Sequence, residues 1–412
     1  MSGEILFLAH RMPFPPDRGD KIRSHHILKA LANLCPVHVG CFAEGVTDLA
    51  NEGHLANVAA SYCMPMRSKP LAIAGLEAVV RGKPVSLTAF ENPLLTDWVA
   101  QTLRRHEIDT IYVFSGQMGQ YVPSAWQRQL VVDLVDVDSA KFEAYAADRL
   151  APMSWIHSRE ARLLRREEDR LAARADHTLL VSEAEAALLW DRLPPASGAN
   201  VAVLGNGIDA HTFDPVRVAP HAALRVPGPH LVFTGQMDYP PNVSAALRAV
   251  DRLMPAIRAV LPEACLHVVG RAPVVELVAR DGVNGARIWG EVPDVRPFVA
   301  AADLVLAPLE IARGVQNKVL EAMAMARPVL LTPAAATGLP GTDGIHFAAA
   351  DSDAALVDRA LQLLAAPEKA GKMGEAARAL VVEQRSWCAM LAALPALVCR
   401  EPREPKRRRN AA

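Results

Sequence analysis

The sequence predicts two doubly wound α/β domains. Three observations carry this. Short apolar runs recur along the whole chain. They are continuously apolar, not alternating, which belongs to parallel strands covered on both faces. Helical patterns separate most of them, which gives βαβ units. A chain of 412 residues is also too long for one ordinary core, so two domains are expected.

The first series of strands reads EILFLA, VHVGCFA, TIYVFS, QLVVDLVD, HTLLVS and VAVLGN. The second reads HLVFTG, CLHVVG, ARIWG, DLVLAP and RPVLLT. Between them, from Gly205 to Pro229, lies a stretch rich in Gly, Pro and Asp without periodicity. The domain boundary is expected there, dividing residues 1–205 from residues 206–384. Residues 155–175 form a strong helical pattern dense in Arg and Glu, read as a solvated face with i,i+4 pairs. The basic tail, residues 401–412, has the composition of an unstructured segment, and its charges suit an anionic lipid surface.

Composition narrows the function. Hydrophobic residues make up 51% of the chain and charged residues 22%, as in a globular protein. A net charge of −1 and 5% aromatics argue against a nucleic-acid protein, so any anion site must be local. The six cysteines form no CxxC pair and stand near no His at ligand spacing; reduced thiols are expected, with neither disulfide nor metal. The opening apolar run, ILFLA, is too short for a signal peptide, and no stretch suits a membrane span. A cytoplasmic protein is expected.

In open α/β sheets ligands bind beyond the carboxyl ends of the strands. Four loops at such positions stand out. After the first strand, Gly19 allows close backbone approach, and Asp20 suits a helix N-cap. Arg18, Lys21 and Arg23 crowd the same helix start, where the macrodipole disfavours cations unless an anion is present. In LVFTGQMDYPPN, Gly235 ends a strand and Asn242 is a candidate N-cap. In LHVVGRAP, Gly270 and Arg271 do the same, with Arg271 a candidate for a phosphate or a base. In LEIARGVQNKVLEAM, Gly314 lets loop amides converge and Gln316 or Asn317 starts a helix. Lys318 then sits in the first turn, and Glu321 one turn on can accept from two adjacent hydroxyls, as on a ribose. Phosphate at the helix start with ribose one turn along matches a nucleoside diphosphate.

The motifs PPDRGDKIRS, VDLVDVDSAKF, LVSEAEAALL, NGID, FTGQMDYPPNVSAA, GEVPDVRPFVAAADLVLAPL, RGVQNKVLEAMAMARPV and the late QRSW carry a resemblance that reaches about Val398. The chain resembles a GT-B fold glycosyltransferase of the broad family-4 type: two doubly wound Rossmann-like α/β domains facing a cleft. It is most similar to the sugar transferases associated with PEP-CTERM/exosortase systems of bacterial exopolysaccharide loci. The resemblance implies a UDP- or GDP-sugar donor on the second domain and a glycan or lipid-linked acceptor on the first. It implies transfer with retention, without a metal or other cofactor, in the cytoplasm, with peripheral contact at the inner membrane face left open. By position, Gly19 and Gly235 would face the donor phosphates, Gly314 and Val315 would offer amides, Lys318 would meet the diphosphate and Glu321 the ribose. A helix over residues 385–400 would return to the first domain.

One departure is clear. Many family-4 enzymes carry two glutamates seven residues apart; here Arg313 stands at the upstream position, and Glu310 is out of register. Arg313 thereby becomes a candidate for phosphate or an acidic sugar. For charge on the leaving diphosphate, Lys318, Arg313, Arg271, Lys21 and Arg23 are the candidates. On the acceptor side the candidates are Asp136 and Asp138 after one strand and Gln117 after another. Alternatives are an epimerase or phosphorylase on the same fold, or a catalytically inactive nucleotide-binding module. An NAD-dependent enzyme would need a G-x-G-x-x-G after a strand, which both glycine loops lack.

Overall fold

The computed structural model describes residues 3–147, 151–195, 197–312 and 315–399. The chain divides into two units. Residues 1–206 with 391–412 form the first, and residues 207–390 the second.

The first unit is built on β1 (Glu4–Ala9), β2 (Val37–Gly40), β3 (Ser61–Cys63), β4 (Ile108–Phe114), β5 (Gln129–Val135), β6 (His177–Leu180) and β7 (Val201–Val203). They make a seven-stranded sheet in the order β3-β2-β1-β4-β5-β6-β7. The second unit has β8 (His230–Thr234), β9 (Cys265–Val269), β10 (Ala286–Gly290), β11 (Leu304–Ala307), β12 (Val329–Leu331) and β13 (Ala348–Ala349). Its six-stranded sheet runs β10-β9-β8-β11-β12-β13. Every pairing in both sheets is parallel. Strand order reverses between β1 and β4 in one unit and between β8 and β11 in the other. Such switch points open a crevice at the strand carboxyl ends, where ligands of doubly wound sheets bind.

Each apolar run of the sequence forms a strand, and the central ones are buried on both faces: β1 from Ile5 onward, β8 and β11 are buried throughout, while β7 and β10 at the flanks are only partly covered. The short β3 and β13 carry too little apolar signal to be read beforehand. Each sheet organises its own core. One gathers around Leu6, Ile111, Val132 and Leu171, the other around Phe233, Val268, Leu306, Met323 and Leu330.

Three local expectations are corrected. The helix Gly19–Ala32 takes Arg18, not Asp20, as its N-cap, two residues earlier than expected. The charged helix spans Met153–Arg174, and its acids are not all solvated. Glu160 turns inward and accepts from the Val85 and Ser86 amides at 2.7 and 2.8 Å. Glu168 accepts from the Ser139 amide at 2.9 Å. The return segment is not one helix over 385–400: the helix Pro367–Arg385 stops at extended Ser386, followed by Trp387–Met390 and Leu394–Val398. Pro395 opens the last piece, where its missing N–H costs nothing. Among the described residues no helix is long and apolar enough to cross a membrane.

Candidate functional site

The second unit brings three sequence-distant candidates together at its switch point. Gly235 follows β8, and the helix Asn317–Ala324 follows β11. A β-carbon at Gly235 would lie 2.8 Å from the Asn242 amide nitrogen and 3.1 Å from Lys318 Nζ. Glycine therefore keeps open the space above the ammonium. The neighbouring loops are tied by backbone bonds. Gly235 N donates to Val269 O at 3.1 Å, and Gly270 N donates to Gly290 O at 2.9 Å. A β-carbon at Gly270 would fall 1.6 Å from the Gly235 carbonyl oxygen. Only glycine permits that approach.

Lys318 donates to the Asn242 side-chain oxygen, and its Nζ stands 4.6 Å from the centre of the Phe233 ring. Asn242 in turn donates to Gln236 O at 2.9 Å, which fixes its amide. Asn242 is thus not the expected N-cap: the helix Pro240–Arg248 begins two residues earlier, with Tyr239 as cap. A buried side chain that orients a lysine was hidden behind that reading.

Among the described residues neither Lys318 nor Glu321 forms an ion pair. Burial pushes the Lys318 ammonium down to about 8, opposed by the charge of Glu321. Burial pushes the Glu321 carboxyl up to about 7, opposed by the charge of Lys318. Among the described residues the Lys318 bond to Asn242 offsets only part of this desolvation, the pattern expected where a charged ligand completes the set.

The rest of this loop cluster is less concentrated. Asn317 is the first helical residue and exposed, with Gln316 as N-cap. Val315 is half-buried against the core. Arg313 and Gly314 lie outside the described residues. Arg271 is exposed and donates to the Gln236 side chain at 3.0 Å. Glu310 faces Arg252 at 3.7 Å. Buried Arg248 anchors the loop by donating to Pro308 O at 3.0 Å and pairing with Asp353 at 2.6 Å.

The first unit treats its candidates differently. Gly19 is exposed, with open space around it. Lys21 points inward and meets Asp48 at 2.7 Å. Arg23 lies fully buried in a two-pronged pair with Asp133, at 3.0 and 3.1 Å, and also donates to Asn206 at 3.0 Å. Tyr112 donates to the same Asp133 carboxylate at 3.0 Å. Asp20 pairs with Arg11 at 2.5 Å and with His10 at 3.1 Å, and these contacts hold its carboxyl well below the usual range despite burial. The crowded cations at this helix start therefore have protein counter-charges, and a phosphate is not needed to account for them.

Gln117 sits after β4, where Ser115 donates to its side-chain oxygen at 2.7 Å. Asp138 opens the helix Asp138–Ala147 with Lys141 at 3.6 Å. Asp136 is exposed in the same turn; desolvation by the surrounding loop, then the charges of Glu185 and Asp138, raises its carboxyl. Sequence reading missed Asp133, although an acid inside the apolar run QLVVDLV must find a partner.

Residues 228–366 match the family model described as Glycosyl transferases group 1. The match falls within the second unit and includes Gly235, Asn242, Lys318 and Glu321. No curated protein sequence matches the chain. Solved structures resemble it over nearly its whole length. HepE (Alr3699) of Anabaena, in complex with UDP and glucose, is 18% identical, with a TM-score of 0.61, covering 96% of this chain and 98% of its own. A sucrose-phosphate synthase of Thermosynechococcus elongatus is 16% identical, with a TM-score of 0.62 and coverage of 96% and 98%. WaaG, a glycosyltransferase involved in lipopolysaccharide biosynthesis, is 18% identical, with a TM-score of 0.59 and coverage of 95% and 99%. The chain has the two-domain Rossmann-like fold of these proteins, the GT-B class.

Proposed function

We propose that the protein is a retaining glycosyltransferase of family-4 type that moves a hexose from a nucleoside diphosphate sugar to a glycan or lipid-linked glycan, without a metal. The observation that carries this reading is the meeting of Gly235, Asn242, Lys318 and Glu321 at the β8/β11 switch point. It lies inside the segment that matches Glycosyl transferases group 1. The UDP and glucose bound by HepE favour a uridine diphosphate sugar.

In this reading Lys318 meets the diphosphate, with the amides of Gly314 and Val315 and the first turn at Asn317 adding donors. Breaking the anomeric C–O bond leaves charge on the nucleoside diphosphate, and a preorganised ammonium in a partly dry site stabilises it. Glu321 accepts from the two ribose hydroxyls. Arg313 and Arg271 provide further positive charge. The acceptor hydroxyl is held in the first unit by Gln117, Asp136 and Asp138, and the leaving phosphate takes its proton. A role in exopolysaccharide assembly of the PEP-CTERM/exosortase kind follows from the motif resemblance. Peripheral membrane contact is supported by the helix Leu71–Arg81. It exposes Leu71, Ile73, Leu76, Val79 and Val80 beside Lys69, Arg81 and Lys83.

The test is a thermal-shift panel of UDP, GDP, ADP, CMP and NAD on the wild type and on Glu321→Ala. A ligand at about 100 times its Kd stabilises by about 2.7 kcal/mol, a shift of several degrees at most. Stabilisation by one nucleoside diphosphate, lost in Glu321→Ala, is expected. Stabilisation by NAD alone would overturn the reading.

A further inference from the structure

At the amino ends of the strands of the first sheet, opposite the carboxyl ends that carry the loops of Gln117, Asp136 and Asp138, three ligand-type side chains converge. Glu4 opens β1, His38 lies near the start of β2, and His106 follows the helix Pro93–Arg105 just before β4. In the sheet, β1 lies between β2 and β4. The three residues therefore come from the amino ends of three neighbouring strand positions.

The Glu4 carboxylate oxygen Oε2 stands 3.0 Å from His38 Nε2 and 3.2 Å from His106 Nδ1. The two imidazole rings are 4.1 Å apart, centre to centre. One ligand atom from each of the three residues lies within 4.8 Å of the others. Zinc binds imidazole nitrogen and carboxylate oxygen at about 2.0–2.2 Å, which places tetrahedral ligand atoms about 3.3 Å apart. The Glu4 contacts already have that spacing within a few tenths of an ångström.

His38 is buried, and its other nitrogen, Nδ1, lies 2.7 Å from the Ser61 hydroxyl on β3. That contact orients the ring and lets Nδ1 carry the proton while Nε2 holds a metal, as metal-binding histidines require of their second nitrogen. Glu4 and His106 remain partly exposed, so an ion can enter and a water can fill a fourth position.

We infer that Glu4, His38 and His106 form a binding site for one zinc-class divalent ion, a clip that ties the starts of β1 and β2 to the segment entering β4. Its role is structural: it sits at the starts of β1 and β2, whereas Gln117, Asp136 and Asp138 follow the carboxyl ends of β4 and β5. The chain carries 13 histidines, so binding must be assigned by variants.

The experiment uses the tag-free full chain, stripped with chelator. Zn2+ is titrated by calorimetry, and Co2+ by its visible absorption, into the wild type, His106→Ala and Glu4→Ala. His106 is the most exposed member, so its variant should fold, which circular dichroism checks. One ion per wild-type chain is expected, bound at least tenfold more weakly by both variants. Zn2+ should raise the melting temperature of the wild type but not of His106→Ala. Equal affinity in wild type and folded His106→Ala, or no stoichiometric binding by the wild type, would overturn the inference.

Discussion

The two switch points use cations in opposite ways. Beside β1, the cations Arg11, Lys21 and Arg23 each meet a carboxylate within the same unit: Asp20, Asp48 and Asp133. Beside β8 and β11, Lys318 meets an amide oxygen and an aromatic face and, among the described residues, no carboxylate in ion-pair range. The density of positive charge in the sequence is higher at the first site. The buried cation without an ion-pair partner among the described residues is at the second. A cation marks an anion site when the fold buries it without neutralising it, not when it merely clusters with others.

The sharpest way to break the comparison is to open the closed side. Asp133→Ala would strand buried Arg23, and losing one partner of a buried pair costs about 3–5 kcal/mol. The melting temperature should fall by about 6–20 °C, read by calorimetry. A fall under 2 °C would mean that the Arg23 charge is satisfied in some other way.

On the open side, Lys318→Met should cost function and not stability. Loss of one preorganised donor to developing charge lowers turnover about 10²–10³-fold. The rate of sugar release from the donor measures this, with the melting temperature unchanged or higher. A stability loss as large as that of Asp133→Ala would erase the distinction between the two sites.

Glu321→Gln sharpens the same point through pH. The Glu321 carboxyl is raised to about 7 by burial, above its usual 4.5. Stability linked to its proton is present below pH 4.5 and lost as pH rises through about 7. The variant should therefore match the wild type at pH 4.5 and melt higher above pH 7. Donor binding runs the other way: it needs Glu321 ionised and Lys318 charged, so affinity should peak between about pH 7 and pH 8. A flat affinity profile from pH 6 to pH 9 would argue against both roles.

The smallest effect belongs to Arg271→Ala. Arg271 is exposed, and among the described residues its side chain bonds only to a surface glutamine. Stability should change by less than about 0.5 kcal/mol. Donor affinity should weaken less than in Lys318→Met, as paired binding isotherms would show.

The sequence by itself determined the architecture. Short apolar runs such as LVVDLV and HLVFT read as strands covered on both faces, and the helical patterns between them call for parallel pairing. It also placed Gly235 at a strand end and Lys318 and Glu321 in the helix that follows a strand, because glycine and a first-turn lysine leave a local mark. Partnership was decided by the tertiary structure alone. Arg23 and Asp133 stand 110 residues apart, and Lys318 and Asn242 stand 76 apart. Glu4, His38 and His106 share no spacing that reads as a ligand motif. Local patterns fix what each segment becomes, because backbone geometry and amphipathicity act over a few residues. Which charge is neutralised and which is left open depends on Coulomb and hydrogen-bond contacts that exist only once β1 lies beside β4 and β8 beside β11.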